Sequence, residues 1–277
     1  ISIKAKSGAN LTTATKNDIV TSLKNFSVAS VTPIIVDPET TFITTDTSFK
    51  YNSSNTTKDV ITLQTNVLNE IANHSASALQ NFTGVFRHSE LTRKIDNVDS
   101  SILSNITTIK LYKFFTPTLN SALKYTISYN NAFYNPHSGH NSSAGGIISS
   151  TGFKINDDSS ANEHFLDDDG EGNLRAYYLS SGVRTYTSSS FGTVNYTTGE
   201  VVLTSANITS ISNVDGATST QIRVFAIPNS NDIAPVRNQI LQIDTANSTV
   251  TGAVDTIESG SASAGTSYTT TTSYSSY

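Results

Sequence analysis

The stretch DVITLQTNVLNEI, Asp59 to Ile71, decides the fold class of this chain. Its apolar residues recur with three- and four-residue spacing, at Val60, Leu63, Val67 and Ile71. This spacing predicts a helix with one apolar face, and Thr57 is its candidate N-cap. Such a face must be buried against another layer of structure.

The residues on either side of this helix supply that layer. Strands are predicted at 31–36 and 41–51, and the alternation of apolar and polar residues at 108–112 predicts a half-buried strand. A second helix is predicted from Ser89, its candidate N-cap, with Glu90 in the first turn. Its buried face comprises Leu91, Ile95, Val98 and Ile102. Helices packed on one face of a small sheet make an α+β layer.

The rest of the chain has a different pattern. A short helix is predicted at 17–26, with Asn17 as its N-cap. After Thr116 the helical period disappears, and short alternating runs predict strands at 124–133, 145–153, 174–180 and 221–227. Residues 194–203 read as a hairpin, and 231–254 hold two more candidate strands. The final stretch, GSASAGTSYTTTTSYSSY, has low complexity, and we expect it to become ordered only against a neighbour.

The predicted fold is therefore α+β, with a small helix-on-sheet domain, a mainly antiparallel β domain and an extended C-terminal tail. We predict the end of a preceding region at 1–29, the α+β domain at 30–115, the β-rich domain at 116–228, and strands with a low-complexity tail at 229–277. The chain does not begin with Met, and we expect it to be a piece of a longer polypeptide.

The composition argues against several classes of protein. Charged residues make up 14% of the chain, against about 25% in an ordinary soluble domain. The chain has no Cys, which excludes disulfides and thiolate metal sites. Its net charge of −5, with scattered Lys and Arg, makes a nucleic-acid partner unexpected. No apolar run reaches membrane-spanning length, so no membrane partner is expected either.

The acidic run FLDDDGEGNLRAYY, Phe165–Tyr178, is the first place to look for chemistry. Asp167, Asp169 and Glu171 fit the first, third and fifth ligands of a calcium-binding EF-hand loop. Arg175 stands where the ninth ligand should be, and a tyrosine replaces the closing glutamate. We therefore predict a solvated turn whose glycines adopt positive φ, with these three acids as weak metal candidates only.

Other chemical signatures are sparse. His137 and His140 lie close in sequence, but no third metal ligand accompanies them. No nucleophile, phosphate or dinucleotide motif is present, so we expect no enzyme, cofactor or metal. Two alternatives stay open: a carbohydrate-binding or adhesive β-module, perhaps assisted by calcium, and a hydrolase on a β scaffold.

The order of the elements between residues 30 and 115 resembles a known family. The stretches VTPIIVDPET, DVITLQTNVLNEI and TGVFRHSELTRKIDNVDSSILSNITTIKLYKF are similar, in this order, to the Baseplate J-like family and to the wedge proteins of large contractile-tailed (myovirus) phage baseplates. The helix entry of that family has the form F-R-x-S-x-L, here Phe86, Arg87, Ser89 and Leu91. The likeness continues in DDDGEGNLRAYY, GTVNYTTGEVVL and APVRNQILQID, so it covers the C-terminal portion of a wedge protein.

This resemblance implies a structural, non-enzymatic role in the tail baseplate of a virion, assembled in the host cytoplasm. It implies a homodimer within an inner ring around the tail hub, and a part in transmitting the contraction trigger. The implied partners are other wedge subunits, the sheath initiator and hub-proximal proteins. The residues predicted to face partners are Val60, Leu63, Val67, Phe86, Arg87, Leu91, Arg237 and Ile240.

Overall fold

The computed structural model describes residues 1–5, 10–27, 31–140, 146–236 and 238–256, and these residues form an α+β fold. The helices are α1 (Thr13–Lys24), α2 (Val60–His74) and α3 (His88–Asp96), with a π-helical turn at Ser75–Leu79 and a 3₁₀ turn at Thr245–Asn247. The strands are β1 (Glu39–Tyr51), β2 (Ile102–Phe115), β3 (Ala122–Ser128), β4 (Ile148–Ser150), β5 (Phe153–Ile155), β6 (His164–Asp168), β7 (Asn173–Ser180), β8 (Val183–Asn195), β9 (Glu200–Ile211), β10 (Ile222–Ala226), β11 (Gln239–Ile243) and β12 (Thr249–Val254). The predicted fold class is confirmed, whereas the low-complexity tail lies outside the described residues.

The first sheet has the order β11-β1-β2-β10-β4, and β12 also pairs with β1. β1 runs antiparallel to β2 but parallel to β11 and β12. Helices α2 and α3 cover one face of this sheet, and their apolar stripes are fully buried: Leu63, Val67, Ile71, Leu91 and Ile95. Each of these side chains contributes about 1.5–3 kcal/mol by leaving water. The predicted helix-on-sheet layer is confirmed.

The helix starts differ from the predicted ones. Asp59, and not Thr57, caps α2, because its carboxylate accepts a 2.8 Å bond from the Thr62 N–H. Thr12 caps α1, so Asn17 lies inside the helix. Both corrections follow from one rule, that the cap is the residue immediately before the first helical turn.

The start of α3 is fixed by a residue distant in sequence. The helix begins at His88, one residue before the predicted cap, and its preceding residue makes no side-chain capping bond. The carboxylate of Asp232 accepts a 3.0 Å bond from the His88 N–H instead. The predicted Ser89 cap is therefore wrong, since a distant loop supplies the acceptor.

Residues 31–36 do not form the predicted strand. In this range only Val36 makes a β-bridge, with Ser2. At Phe42 and Ile43, β1 pairs with β2 on one side and with β11 on the other, so no free edge of β1 remains there for a further strand. Val31, Ile34 and Val36 are left exposed.

The second sheet has the order β3-β9-β5-β6-β7-β8, and β8 also pairs with β9. The pairings therefore close on themselves around an apolar interior that includes Phe153, Leu166, Leu174, Val201 and Leu203. The predicted hairpin at 194–203 is confirmed as the β8–β9 connection, and Gly199 in its turn has φ of 67°.

The second sheet is built from a stretch of chain that interrupts the first. Its strands all lie between residues 122 and 211, whereas β4 and β10, within the range predicted as the β-rich domain, pair in the first sheet. The buried residues of both sheets form a single core. Among the described residues, no helix has the length and apolar character needed to cross a membrane.

Candidate functional site

The acidic run lies where the two sheets meet, and two of its acids are buried. Asp167 and Asp168 end β6, a turn follows with positive φ at Gly170 and Gly172, and β7 begins at Asn173. The predicted turn and its glycine conformations are confirmed. The prediction that the whole acidic run is solvated is wrong, because Asp167 is 1% exposed and Asp168 is 0% exposed.

Asp167 is buried because cationic and hydroxyl groups surround its carboxylate. Arg175 donates to it through Nε at 2.8 Å and Nη2 at 3.2 Å. Arg184 Nη1 and the Tyr186 hydroxyl each donate at 2.8 Å. A buried carboxylate needs such partners to stay ionised, and these donors occupy the lone pairs that a cation would use.

Asp168 connects the second sheet to the first. Its Oδ1 accepts a 2.9 Å bond from the backbone N–H of Ile148 in β4, and its Oδ2 accepts a 2.6 Å bond from the Tyr196 hydroxyl. A side chain at Gly146 would displace this carboxylate, since a Cβ would lie 1.6 Å from Asp168 Oδ1. Burial, together with the bond to this carboxylate, raises the pKa of Tyr196.

The two remaining metal candidates stabilise the turn itself. Asp169 accepts from the backbone N–H groups of Glu171 and Asn173 at 2.8 and 3.0 Å, and from the Asn173 side chain at 2.6 Å. Burial opposes its ionisation, but these hydrogen bonds outweigh it and lower the pKa of Asp169. Glu171 accepts a 2.5 Å bond from the Ser138 hydroxyl.

The acidic run therefore has no metal-binding geometry in the described structure. Three or more potential metal ligands do not come together anywhere in the described ranges. His137 and His140 do meet, with 3.1 Å between Nε2 of the first and Nδ1 of the second. They lie beside a polar cleft of about 650 Å³ that His137, Glu171 and Glu200 help to line.

A second link between the sheets is the buried ammonium of Lys113. Its Nζ donates to Glu39 Oε1 at 2.6 Å, beside it in the first sheet, and to the Ser128 carbonyl of β3 at 2.7 Å. Burial lowers the pKa of Lys113, although the Glu39 carboxylate opposes this effect. The Tyr129 hydroxyl adds a bond to the Val224 carbonyl of β10. Asp168, Lys113 and Tyr129 thus hold the sheets together by polar bonds that each need a defined geometry.

The residues predicted to face partners divide into two groups. Five of them are fully buried within this chain and belong to its interior: Leu63, Val67, Phe86, Leu91 and Ile240. Val60 is half-buried, and Arg87 is exposed with an ion pair to Asp232 at 2.7 Å. Arg237 lies outside the described residues. In this structure only Val60 and Arg87 of the described set reach the surface, because the helical stripe packs on its own sheet.

The surface available to neighbours lies elsewhere. We define the outer face as the side of the first sheet opposite α2 and α3. Residues of β1 and β2 expose their side chains there: Asp46, Ser48, Lys50, Ser104, Ile106, Thr108 and Lys110. Ile106 is 71% exposed and lies on the stretch of β2 that pairs with β1 but not with β10. The alternation that predicted buried Ile109 and Leu111 also puts Ile106 on the opposite face, so a sequence signal for it existed.

Aromatic rings gather at one end of the outer face. Phe42 stacks on Tyr112 with 4.8 Å between ring centroids, and Phe225 lies 5.2 Å from Tyr112. Phe114 packs beside Phe42 at 5.7 Å and is still partly exposed. The rings come from three neighbouring strands, so strand order, which sequence periodicity does not reveal, creates this cluster.

The N-terminal region also exposes apolar side chains. Helix α1 buries none of its residues, and Phe26, just after it, is 89% exposed. Ile1 and Ile34 are exposed as well. Apolar exposure on this scale is typical of surfaces that contact another polypeptide.

Comparisons with known proteins give matches to two stretches of this chain. Residues 39–113, which begin at the first residue of β1, match the family model described as baseplate structural protein gp6, C-terminal domain III. Residues 1–36 match the model of C-terminal domain I of the same protein family. The baseplate wedge protein gp6 of Enterobacteria phage T4 is 27% identical over 128 residues, 45% of this chain and 19% of that protein. Over these stretches the chain is thus similar to the C-terminal portion of phage baseplate wedge proteins, and the match spans about a fifth of the length of the T4 protein.

Proposed function

We propose that this chain is a non-enzymatic part of a baseplate wedge subunit that pairs with a second copy, contributes to an inner ring around the tail hub, and transmits the contraction trigger. The partners in this proposal are other wedge subunits, the sheath initiator and hub-proximal proteins. The observation that carries it is a set of exposed apolar side chains, Ile106 and Phe114 on an otherwise polar outer face and Phe26 and Ile34 in the N-terminal region.

The uncovered surfaces have the character of contacts in a permanent assembly. Ile106 and Phe114 lie on the outer face, and Phe26 and Ile34 lie in the N-terminal region. The chain carries few charges, which would otherwise oppose close contact. A ring forms when copies associate head to tail with rotational closure, whereas paired copies share a self-complementary contact.

The junction between the sheets supports a mechanical role. A subunit that transmits a trigger must move as a body, so that displacement at one surface appears at another. Asp168 and Lys113 make this junction with buried hydrogen bonds, and both sheets share one core. This construction favours rigid rotation of the subunit over bending between its sheets.

Imaging of intact and contracted tails by electron cryo-microscopy tests the proposal. We expect density for this chain in pairs, repeated around the six-fold tail axis, with a neighbour covering Ile106 and another covering Phe26. We expect the chain to keep its internal structure while its orientation changes between the two states. A chain located outside the baseplate, or present as isolated copies with these residues in solvent, would refute the proposal.

A further inference from the structure

The outward side of β6, β7 and β8 carries an ordered array of aromatic and charged side chains. Leu166, Leu174 and Ala176 point into the core, so the residues that alternate with them face the other way. We call this array the Tyr–Arg platform. Its members are Phe165, Asp167, Arg175, Tyr177, Arg184 and Tyr186.

Each guanidinium of the platform lies over a tyrosine ring. Arg175 Cζ is 4.4 Å from the Tyr186 ring centroid, and Arg184 Cζ is 4.7 Å from that of Tyr177. The Asp167 carboxylate accepts hydrogen bonds from both guanidinium groups and from the Tyr186 hydroxyl. These contacts fix the side chains before any partner arrives, so binding costs little further side-chain entropy.

The platform presents a positive charge to its surroundings. Two guanidinium groups share one carboxylate, which leaves a net charge of about +1 on these three groups. Within the described part of the chain, the ion pair of Arg184 is with Asp167 alone. The Arg184 side chain is 36% exposed whereas that of Asp167 is 2% exposed, so the accessible charge is cationic.

Apolar side chains lie next to this charge, at the tip of the β7–β8 hairpin. The tip turns through Ser181 and Gly182, which have φ of 51° and 81° and make the two-residue turn that suits twisted hairpins. Leu179 is 54% exposed and Val183 is 67% exposed on either side of the turn. Leu179 pairs directly with Arg184, so apolar and cationic groups are adjacent.

The stacking favours a protein over a carbohydrate as the ligand. Sugars bind to open aromatic faces, but Arg184 lies over Tyr177 and Arg175 lies over Tyr186. Arginine and tyrosine set among apolar groups are instead characteristic of the strongest contributors to protein–protein binding.

We infer that the Tyr–Arg platform and the hairpin tip bind a protein partner whose surface presents a carboxylate beside an apolar depression. The carboxylate pairs with Arg184, and Leu179, which lies opposite Arg184 on the same face of the hairpin, enters the depression. This inference rests on the proposed function, in which the chain works by holding neighbours, and it adds a contact surface separate from the outer face.

A photocrosslinker placed at the hairpin tip tests this inference in assembled particles. The phage that encodes the chain is grown with p-benzoylphenylalanine at Val183, purified tails are irradiated, and adducts are identified by mass spectrometry. We expect an adduct with another tail protein, joined within a segment that contains Asp or Glu. Combining the probe with Arg184→Glu should reduce the adduct at least about tenfold, because attraction becomes repulsion between like charges.

Two further variants separate lost recognition from lost folding. Lys154→Glu makes the same charge change at an exposed residue of β5 and should leave the adduct unchanged. Leu179→Ser leaves the Asp167 hydrogen bonds intact and should also weaken the adduct while the melting temperature is kept. If Arg184→Glu lowers the melting temperature, its loss of adduct is not counted, and the adduct yield of the Leu179→Ser variant alone tests the inference.

Several outcomes would overturn the inference. These are the absence of a protein adduct in tails that contain the chain, an adduct that both variants leave unchanged, and Arg184-dependent binding to purified host polysaccharide without a protein adduct. The proposed function has a separate failure, namely that purified tails lack the chain altogether.

Discussion

The carboxylate of Asp168 accepts a 2.9 Å hydrogen bond from the backbone N–H of Ile148, and this bond joins β6 of the second sheet to β4 of the first. Both groups are buried. A buried acceptor that links two sheets stabilises their relative position as well as the chain itself. Its removal therefore separates the polar contribution to the junction from that of the apolar core.

We expect Asp168→Ala to lower the free energy of unfolding by about 2–4 kcal/mol, since the Ile148 N–H and the Tyr196 hydroxyl lose their acceptor in a buried place. Urea unfolding followed by circular dichroism measures this change. The matched control is Asp157→Ala, an exposed aspartate whose loss should cost less than about 0.5 kcal/mol. Equal midpoints for the two variants would show that Asp168 does not hold the junction.

A second prediction concerns pH and His74, the last residue of α2. His74 is fully buried, and neither ring nitrogen has a hydrogen-bond partner among the described residues. Burial, with the Lys94 ammonium nearby, lowers the pKa of His74 below its ordinary value of 6.5, although the Glu90 and Glu70 carboxylates oppose this shift. The unfolded chain therefore binds the proton more readily than the folded chain does.

The sign of the pH effect follows from this difference. Above about pH 6.5, the ordinary pKa of histidine in the unfolded chain, protonation of His74 does not reduce the free energy of unfolding. Below that pH the free energy of unfolding falls by about 1.4 kcal/mol per pH unit, until the pKa of His74 in the folded chain is reached. Unfolding midpoints between pH 8 and pH 5 measure the loss. His74→Leu should remove this component and add about 1 kcal/mol at pH 8, since two unpaired nitrogens disappear. His137→Gln, at an exposed histidine, should keep the slope, and a slope that survives His74→Leu would contradict the assignment.

The cap of α3 gives a third prediction. Asp232→Ala removes the acceptor for the His88 N–H and should cost about 1 kcal/mol, the usual value of an N-cap. Asp232→Asn keeps an oxygen at the cap and loses only the exposed ion pair with Arg87, so its cost should be smaller. Hydrogen exchange in α3 reports the difference. Equal protection in the natural chain and in Asp232→Ala would refute the long-range cap.

A fourth prediction concerns the residues that the sequence predicted to face partners. It distinguishes those that stabilise the interior of the chain from those that lie at its surface. Leu63→Ala should lower the free energy of unfolding by about 2–5 kcal/mol, because a cavity replaces a fully buried side chain. Arg87→Ala should cost less than about 1 kcal/mol, since its ion pair is exposed. Thermal unfolding of both variants decides. A Leu63→Ala chain of natural stability that fails only in assembly would make Leu63 a partner contact.

The fifth prediction tests the outer face. Ile106→Asp should leave the stability of the isolated chain within about 0.5 kcal/mol, because the side chain is already exposed. It should strongly reduce the number of complete tails, counted by electron microscopy in a complementation assay, because a charge would replace the large exposed apolar side chain of this face. Ser53→Asp, in the exposed turn after β1, is the charge-matched control and should assemble normally. Normal assembly of the Ile106→Asp chain would remove the outer face from the proposed contacts.

Local patterns in the sequence were sufficient for α2, the start of α3 and the β8–β9 hairpin, whereas the predicted apolar face of the second helix ran too far, since α3 ends at Asp96 and Ile102 begins β2. Their signals, apolar spacing and turn residues, act over a few neighbours, and the structure contains them close to where they were predicted. The wrong N-caps at Thr57 and Asn17 were errors of a few residues within the right element.

The features that sequence could not provide depend on distant partners. Asp167 and Asp168 looked solvated because nothing local shows that Arg184 and the Ile148 N–H will reach them. The cap of α3 comes from Asp232, 144 residues beyond His88. Five of the residues first assigned to partners are interior, since periodicity identifies an apolar face but not what covers it.

The strand order also fixes when each layer can form. All strands of the second sheet lie between residues 122 and 211, so this sheet can close as soon as that stretch is available. The edge of the first sheet pairs Glu39 with Gln239, 200 residues later in the chain, and contacts so far apart in sequence slow folding. During synthesis β1 and β2 must wait, with one edge open, until β11 and β12 leave the ribosome. Interruption of translation before residue 239 would therefore yield a chain with a finished second sheet and an unprotected strand edge in the first, a species prone to pair with other chains.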